Sequence, residues 1–314
     1  MSEIKVKMGT SKAKKTSAGP DFKAEMIGEY LLTAPLTTKN SGFSKWGFCT
    51  KGGTEYFIKE FISPVYPDDT VNIAPAIKNR KCKECNDWFN QKQKIYNKIC
   101  EAANGNIIAP FRFFKHNSHF YIVTDKVPQC SLDFKSVKYL PPEQKHILLK
   151  VLAASFSSLA SKGIVHADVK PENILFKSTL PYQYTAKIID FDGSYLESDA
   201  PFGDDVKGTE AYLAPESCLA LTRNKVELTP KVDVFALGIV FHEMLCGEKP
   251  TYKGDASYTC EAVLKDYEIV LNPALPSGYK NIIANMLKKD AADRWSAAKV
   301  FNHLSQMTAK DLKQ

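Results

Sequence analysis

The sequence predicts an α+β fold of two parts, a small antiparallel β-sheet with one main helix followed by a larger helical part. Residues 35–61 alternate polar and apolar side chains on both sides of a Gly52-Gly53 pair, which is typical of a β-hairpin. After Pro128 this pattern gives way to helical periodicity that continues toward the C-terminus. A chain of 314 residues is long enough for two lobes of this kind.

A loop, a helix and two strands complete the first part. Residues 62–80 contain three prolines and little periodicity, so we expect an inserted loop there. From about residue 81 to 101, apolar side chains recur at helical spacing and predict the main helix. Residues 106–127 then predict two further strands, joined by a turn at His116-Asn117.

A strong helix opens the second part. It covers residues 141–163, with Pro142 near its start and Gly163 as its stop signal. Two short strands follow, around residues 172–177 and 185–190. A long loop then leads to the helices that dominate the rest of the chain.

The composition excludes some classes of protein. Hydrophobic residues make up 44% of the chain and charged residues 25%, as in ordinary globular proteins. The sequence has no apolar run of transmembrane length and no apolar core of a secretory signal at its start. The eight cysteines are scattered, which favours reduced thiols and a cytoplasmic protein. Cys82 and Cys85 form one close pair, but a zinc site needs two further ligands.

A basic tail precedes the folded part. Its first 15 residues hold five lysines and one glutamate, which account for part of the net charge of +7. We expect residues 1–26 to be a disordered, solvated leader. The alternative is that this tail binds an anionic partner, such as a membrane surface, and we expect no specific binding of nucleic acid.

Two features of the first part are suited to contact phosphate groups. Gly42 and Gly47 bracket the turn GFSKWG, and glycine lets backbone N–H groups approach phosphates closely. Lys59 follows on the next predicted strand, in YFIKEF. Each feature alone is common, because many hairpins contain two glycines and many strand lysines face solvent. Together they favour a phosphate site.

Two segments of the second part carry acids at fixed offsets. IVHADVKPENILF contains Asp168, Lys170 and Asn173, and KIIDFD contains Asp190 and Asp192. Asn173 and Asp190 lie at the ends of neighbouring predicted strands, where they are placed to share a Mg²⁺ ion with substrate phosphates. Asp168 would then face an attacking hydroxyl. The simpler interpretation is that these acids are turn formers and strand caps.

Seven motifs in this order resemble the eukaryotic-type protein kinase domain, over about residues 28–307. They are the glycine turn, the strand lysine, HADVKPEN, KIIDFD, GTEAYLAPE (208–216), DVFALGIVFHEML (233–245) and DRWSA (293–297). The resemblance implies a bilobal protein kinase fold. Its parts would be a basic tail (1–26), the first lobe and hinge with the insertion (27–127), the helical second lobe (128–307) and a C-terminal tail (308–314).

The resemblance assigns a role to each matching residue. Asp168 would orient the substrate hydroxyl and accept its proton, and Lys170 would neutralise charge on the transferring phosphoryl group. Asn173 and Asp190 would hold magnesium. Thr124 would guard the pocket behind the nucleotide. The residues that would contact ATP are Gly42, Ser44, Gly47, Cys49, Lys59, Asp125, Val127 and Leu175.

Other matching residues would have structural roles. The family has a buried ion pair that anchors its activation segment, which corresponds to residues 190–216 here, and Glu216 and Arg294 match this pair. Asp233 matches the helix aspartate that holds the catalytic loop by hydrogen bonds. Thr209 is expected to be a structural partner of that loop and not a regulatory site.

The sequence departs from the family at four places. Ser44 replaces the middle glycine of the glycine turn. Ala167 replaces an arginine that meets a phosphate on the activation segment, which argues against control by that phosphate and not against catalysis. The helix glutamate that pairs with the strand lysine is missing. Gln91 and Lys92 stand near its expected position, and Glu84, about two turns earlier, could pair with Lys59 only if the helix is shifted. Asp192 replaces a glycine, and our hypothesis is that it adds a carboxylate near the ions and a tolerance for Mn²⁺.

These features predict a monomeric serine/threonine protein kinase that uses ATP and Mg²⁺ and does not depend on activation-segment phosphorylation. Its protein substrate is not predicted. One alternative is a kinase-fold scaffold that no longer transfers phosphate. The other is a small-molecule kinase of the aminoglycoside or choline type, whose HAD and IDFD pattern is close. GTEAYLAPE and DVFALG argue against the latter, because these elements build the peptide-docking segment of protein kinases.

Overall fold

The computed structural model describes residues 23–39, 44–68, 73–308 and 310–312. A six-stranded antiparallel sheet forms the first lobe, in the order β1-β2-β3-β4-β6-β5. Its strands are β1 (Met26–Ile27), β2 (Tyr30–Leu32), β3 (Ser44–Lys51), β4 (Thr54–Phe61), β5 (Arg112–His116) and β6 (His119–Asp125).

The predicted hairpins of this sheet are confirmed. Gly52 and Gly53 join β3 to β4 with φ values of 58° and 80°, a left-handed backbone that glycine adopts without steric cost. Asn117, with φ of 52°, turns the chain between β5 and β6. The short β1–β2 hairpin was not predicted. It begins at Met26, inside the segment expected to be a disordered tail.

The main helix α1 (Pro75–Ala102) begins earlier than the predicted start near residue 81. Proline suits the first turn of a helix, because its missing N–H has no partner there and its φ is already helical. The inserted loop predicted for residues 62–80 is therefore shorter than expected, because its last residues, 75–80, belong to α1. Its residues 69–72 lie outside the described ranges.

Helix α1 packs on one face of the sheet. Its buried residues, Ile95 and Ile99 among them, share a core cluster with Phe61 and Phe120 of the strands. Trp88 adds an edge-to-face contact with Phe61, with ring centroids 5.2 Å apart. The opposite face of the sheet holds a separate, smaller cluster. The two faces of β4 therefore have different neighbours.

The second lobe is mainly helical, as predicted. Its helices are α2 (Pro142–Ser161), α3 (Pro215–Leu221), α4 (Lys231–Cys246), α5 (Thr259–Leu264), α6 (Ser277–Met286) and α7 (Ala297–Gln306). Its short strands are β7 (Ile164–Val165), β8 (Ile174–Leu180), β9 (Gln183–Ile188), β10 (Tyr195–Leu196), β11 (Thr251–Tyr252) and β12 (Ile269–Val270). They pair as β7–β10, β8–β9 and β11–β12.

Helix α4 runs through the centre of the second lobe. Twelve of its 16 residues are buried, as expected for a helix that is apolar on all sides. It ends at Gly247, whose φ of 82° closes the helix in the left-handed conformation. In the described ranges, no helix combines the length and the apolar character needed to cross a membrane.

Candidate active site

The polar segments of the second lobe meet where the β8–β9 hairpin approaches the first lobe. The backbone N–H of Ile189 donates to the carbonyl of Asn173 over 3.0 Å, which brings the two acid-bearing segments together. The N–H of Ile108 donates to the carbonyl of Ile188 over 2.9 Å, which joins this hairpin to the chain that leads into β5. The expected neighbourhood of Asn173 and Asp190 is therefore present.

Asp168 lies at the centre of a hydrogen-bonded group. Its Oδ1 accepts from Thr209 Oγ1 over 2.7 Å. Its Oδ2 accepts from Asn173 Nδ2 over 3.1 Å and pairs with Lys170 Nζ at 2.7 Å. Lys170 also donates to Thr209 over 2.9 Å. Both oxygens of Asp168 are therefore held in place, and Thr209 has the structural role that the sequence predicted.

Helix α4 holds the loop that carries Asp168 in place. The carboxylate of Asp233 accepts from the backbone N–H groups of His166 and Ala167, at 2.7 and 3.0 Å. Ala167 has φ of 70°, a strained conformation that these bonds help to hold. Burial raises the pKa of Asp233 to about 6. The hydrogen-bonding role predicted for Asp233 agrees with this geometry.

Lys59 reaches the same site from β4. Its Nζ lies 2.9 Å from Asp190 Oδ1 and 3.0 Å from Asp192 Oδ2, and its side chain is 8% exposed. Burial alone would lower the pKa of Lys59, but the charges of Asp192 and Asp190 outweigh it and raise the pKa. Burial likewise acts to raise the pKa of Asp190, and the charge of Lys59 lowers it overall. Lys59 and Asp190 are therefore both charged at neutral pH.

Helix α1 supplies a lysine to this site in place of a glutamate. Lys92 Nζ donates to the backbone carbonyl of Asp192. Gln91 donates to Asp199 Oδ2 over 2.8 Å. Glu84 lies on the exposed side of the helix, 3.8 Å from Arg80, so it is not the partner of the strand lysine. The shifted-helix alternative that the sequence left open is therefore wrong.

An aromatic surface lies beside Lys59 on the sheet. Residues opposite each other on antiparallel strands share a face, so Lys59 shares its face with Trp46. Side chains two positions apart on a strand share a face, so Phe57 lies on the face of Lys59. Phe48 and Thr124 are paired with Phe57 on the neighbouring strands and therefore lie on this face as well. Trp46 stacks on Phe57 with ring centroids 5.9 Å apart. This face is suited to bind the flat base of a nucleotide.

Cys49 lies on the other face of the sheet. It is fully buried with Ile58 in the smaller cluster and is paired with Tyr56. The sequence-based assignment of Cys49 as a nucleotide contact is corrected, since a shift of one residue along a strand moves the side chain to the opposite face. Phe48 takes that place, and Lys126, just after β6, lies 4.8 Å from its ring.

The remaining predicted nucleotide contacts have different positions. Ser44 begins β3 and is buried on the face of Lys59. Gly47 lies on the other face, where a Cβ would lie 2.9 Å from Leu36 Cδ2. Asp125 ends β6, and Val127 follows it half-buried. Leu175 is 38% exposed and points away from its buried neighbours on β8. Gly42 lies outside the described residues.

Comparison with known sequences agrees with this geometry. A family model described as the protein kinase domain matches residues 72–304. The chain belongs to the protein kinase family. The match begins after β4, so Lys59 lies outside it. Its assignment rests on its contact with Asp190, which lies inside the matched range.

Curated relatives of this kinase are similar over only part of their length. A CDPK-related protein kinase of Daucus carota is 29% identical over 227 residues, which cover 69% of this chain and 36% of that protein. A calcium/calmodulin-dependent serine/threonine-protein kinase of Oryza sativa is 29% identical over 296 residues, 91% of this chain and 45% of that protein. A probable myosin light chain kinase of Dictyostelium discoideum is 28% identical over 209 residues, 63% and 64% respectively. The chain spans less than two thirds of each.

The kinase domain contains the predicted buried ion pair. Arg294 Nη1 and Nη2 lie 2.6 and 3.0 Å from the two carboxylate oxygens of Glu216. The side chain of Arg294 is fully buried, and that of Glu216 is 9% exposed. Because Glu216 lies in the first turn of α3, this bidentate pair fixes the end of the segment that starts at Asp190.

The donor set of the kinase site fits a magnesium ion. Asn173 and Asp190 carry hard oxygen donors, and Oδ1 of the neighbouring Asp192 is buried without a hydrogen-bond partner in the described structure. Within the described ranges there is no group of three or more His, Cys, Asp or Glu side chains placed to hold a metal. This is compatible with Mg²⁺, which binds one or two carboxylates together with substrate phosphates.

Proposed function

We propose that this protein is an active serine/threonine protein kinase that transfers the γ-phosphate of ATP to protein hydroxyls. The observation that supports this best is the joint arrangement of Asp168, Asn173, Asp190 and Lys59 in one hydrogen-bonded site. A site that has lost phosphoryl transfer is expected to lack at least one of these groups.

In the proposed reaction, the hydroxyl oxygen of the substrate bonds to the γ-phosphorus while the bond from that phosphorus to the β–γ bridging oxygen breaks and ADP leaves. Asp168 orients the hydroxyl and accepts its proton. Its bonds to Thr209 and Asn173 fix the carboxylate in advance. Lys170, 2.7 Å from Asp168, offsets the negative charge on the moving phosphoryl group.

Binding of the nucleotide would depend on residues of both lobes. Lys59 is charged and placed to pair with phosphates, and Phe48 and Phe57 offer a flat apolar surface to the base. Asn173 and Asp190 are the residues that would hold Mg²⁺, which neutralises phosphate charge when it is bound. The additional carboxylate of Asp192 supports our hypothesis of Mn²⁺ tolerance, which Asp192→Gly should reduce.

We also propose that activity does not require a phosphate on the activation segment. Ala167 cannot bind such a phosphate, and the segment has other attachments. Asp199 accepts from Gln91 of α1, and Glu210 Oε2 accepts from Tyr258 over 2.6 Å. The test is to compare activity before and after phosphatase treatment, with mass spectrometry to show that the segment is unmodified. Loss of activity on treatment would contradict the proposal.

One further proposal concerns the location of the protein. All eight cysteines are free thiols, which supports the expected cytoplasmic location. A monomer and an anionic partner for the basic tail stay as predictions from the sequence, and the protein substrate is open.

A catalytically inactive, nucleotide-binding scaffold is the second candidate function. The observation that favours it is the missing helix glutamate beside Lys59, where Lys92 stands instead. A small-molecule kinase is less favoured, because α3 and the Glu216–Arg294 pair support a protein-docking segment.

The test is transfer of labelled γ-phosphate from ATP, with Mg²⁺ or Mn²⁺, to a generic basic protein, followed by phosphoamino-acid analysis. We expect label on serine or threonine that is lost in Asp190→Asn. Asp205→Asn, an exposed carboxylate of the same segment, is the matched control and should keep wild-type transfer. ATP binding without transfer would favour the scaffold, and transfer only to an aminoglycoside or choline would favour the small-molecule kinase.

A further inference from the structure

The site around Lys59 contains a second lysine, Lys92, that the proposed reaction does not use. Lys92 is half-buried, and its ammonium bonds to the backbone carbonyl of Asp192. An ammonium taken out of water must be offset by negative charge or hydrogen bonds. The charges that face it are the carboxylates of Asp192 and Asp190, together with Lys59. Two lysines and two aspartates therefore form one group of neighbouring ionisable side chains.

The four side chains come from three parts of the chain. Lys59 lies on β4, Lys92 on α1, and the two aspartates lie on the segment after β9. Asp192 contacts both lysines, through its carboxylate to Lys59 and through its carbonyl to Lys92. It is therefore the common attachment point of the strand and the helix.

We infer that Lys92 and Asp192 together replace the missing helix glutamate. A carboxylate that pairs with Lys59 lies on the activation segment, and the cation lies on the helix. Besides Asp190, the carboxylate of Asp192 pairs with Lys59, and Lys92 attaches α1 to the segment that carries both carboxylates. Lys92 is then a positioning residue: it does not touch substrate, and it fixes the helix against the site. For its effect on catalysis, this inference rests on the proposed kinase activity.

A neighbouring contact supports this role for the helix. Gln91, next to Lys92, bonds to Asp199 of the same segment. Two successive residues of α1 thus bond to one segment. A chance contact of a single flexible lysine would not account for both bonds. Burial also lowers the pKa of Lys92, which is expected for an ammonium that has left bulk water.

The test uses variants that transfer the carboxylate from position 192 of the segment to position 92 of the helix. Lys92→Glu alone adds a third acid beside Lys59, and Asp192→Gly alone leaves two lysines with one acid. We expect each single variant to lower kcat/KM by about tenfold or more, since small displacements at a reacting centre have large effects. The double variant Lys92→Glu/Asp192→Gly restores one carboxylate on the helix and should return kcat/KM to within about threefold of wild type.

Three further variants separate the effects of position, charge and backbone freedom. Lys92→Arg keeps the cation and should keep most of the activity. Lys94→Glu makes the same charge change on an exposed position of α1 and should leave activity unchanged. Asp192→Asn, which keeps the side-chain volume, separates loss of the carboxylate from the added backbone freedom of glycine.

A readout without catalysis keeps this inference distinct from the proposed function. Thermal unfolding of the wild type, the two single variants and the double variant, followed by circular dichroism, gives the coupling between positions 92 and 192. We expect the double variant to lose less in Tm than the sum of the losses in the two single variants. Additive shifts in Tm, or a double variant no more active than the weaker single variant, would overturn the inference even if the wild type transfers phosphate. Coupled shifts without any transfer would leave it standing and remove only the proposed activity.

Discussion

Replacement of Arg294 by methionine should strongly destabilise the second lobe. Arg294 donates to both carboxylate oxygens of Glu216 and to the backbone carbonyls of Lys231, Lys288 and Lys289. Methionine fills similar volume and makes none of these bonds. The carboxylate of Glu216 would then stay buried without its counter-charge.

The size of the effect follows from this burial. Removal of one partner of a buried ion pair leaves an uncompensated charge and costs about 3–5 kcal/mol. Each carbonyl that loses its donor adds about 1 kcal/mol where water does not replace the donor. We therefore expect the free energy of unfolding to fall by about 5 kcal/mol in total, which is a large part of the stability of an ordinary domain.

Urea unfolding followed by circular dichroism measures this change. We expect the midpoint for Arg294→Met to fall by about 1 M urea or more. In Glu216→Gln/Arg294→Met no charge is left buried, so part of the loss should be recovered. Lys253→Met is the matched control, because Lys253 pairs with Glu268 at 2.9 Å while both side chains are about two thirds exposed. A loss for Arg294→Met as small as the control's, or no recovery in the double variant, would refute the reasoning.

Three other outcomes are expected. Burial raises the pKa of Cys49 to about 11, so iodoacetamide at pH 8 should modify this thiol only after unfolding, as read by peptide mass spectrometry. Gly208 has φ of 137° and its Cβ would lie 2.8 Å from the carbonyl of Ala167, so Gly208→Ala should lower the unfolding free energy by about 1–3 kcal/mol, measured by urea unfolding. The Sγ atoms of Cys218 and Cys260 lie 2.6 Å apart, so hydrogen peroxide should oxidise the two thiols to a disulfide, with release of two water molecules, and non-reducing peptide mapping should find the linked pair.

The sequence predicts the order of sheet and helices because local patterns determine these elements. The Gly52-Gly53 hairpin also fixes the register of β3 on β4, since a two-residue turn sets which residues face each other. That register already pairs Trp46 with Lys59 and excludes Cys49 from their face. The misplaced assignment of Cys49 came from the resemblance and not from the strand pattern.

Other parts of the site depend on contacts that no local pattern contains. The bond of Lys92 to the carbonyl of Asp192 joins residues 100 positions apart, and that of Gln91 to Asp199 spans 108. Their sequence context indicates only a half-exposed helix face. Asn173 and Asp190 could be predicted as neighbours because they flank the paired strands β8 and β9, and Asp168 could be placed near them because it lies five residues before Asn173.

The central claim is that Asp168 takes part in phosphoryl transfer and that the wild-type site is active. The most direct test measures transfer rate and ATP affinity in parallel for the wild type and Asp168→Asn. We predict that the rate falls by about 10²–10⁴-fold, since a positioned proton acceptor contributes that much. The affinity for ATP should change less than about threefold, because Asp168 contacts the hydroxyl and not the nucleotide. Equal rates in the two proteins, or a wild type that binds ATP and transfers nothing, would contradict this account.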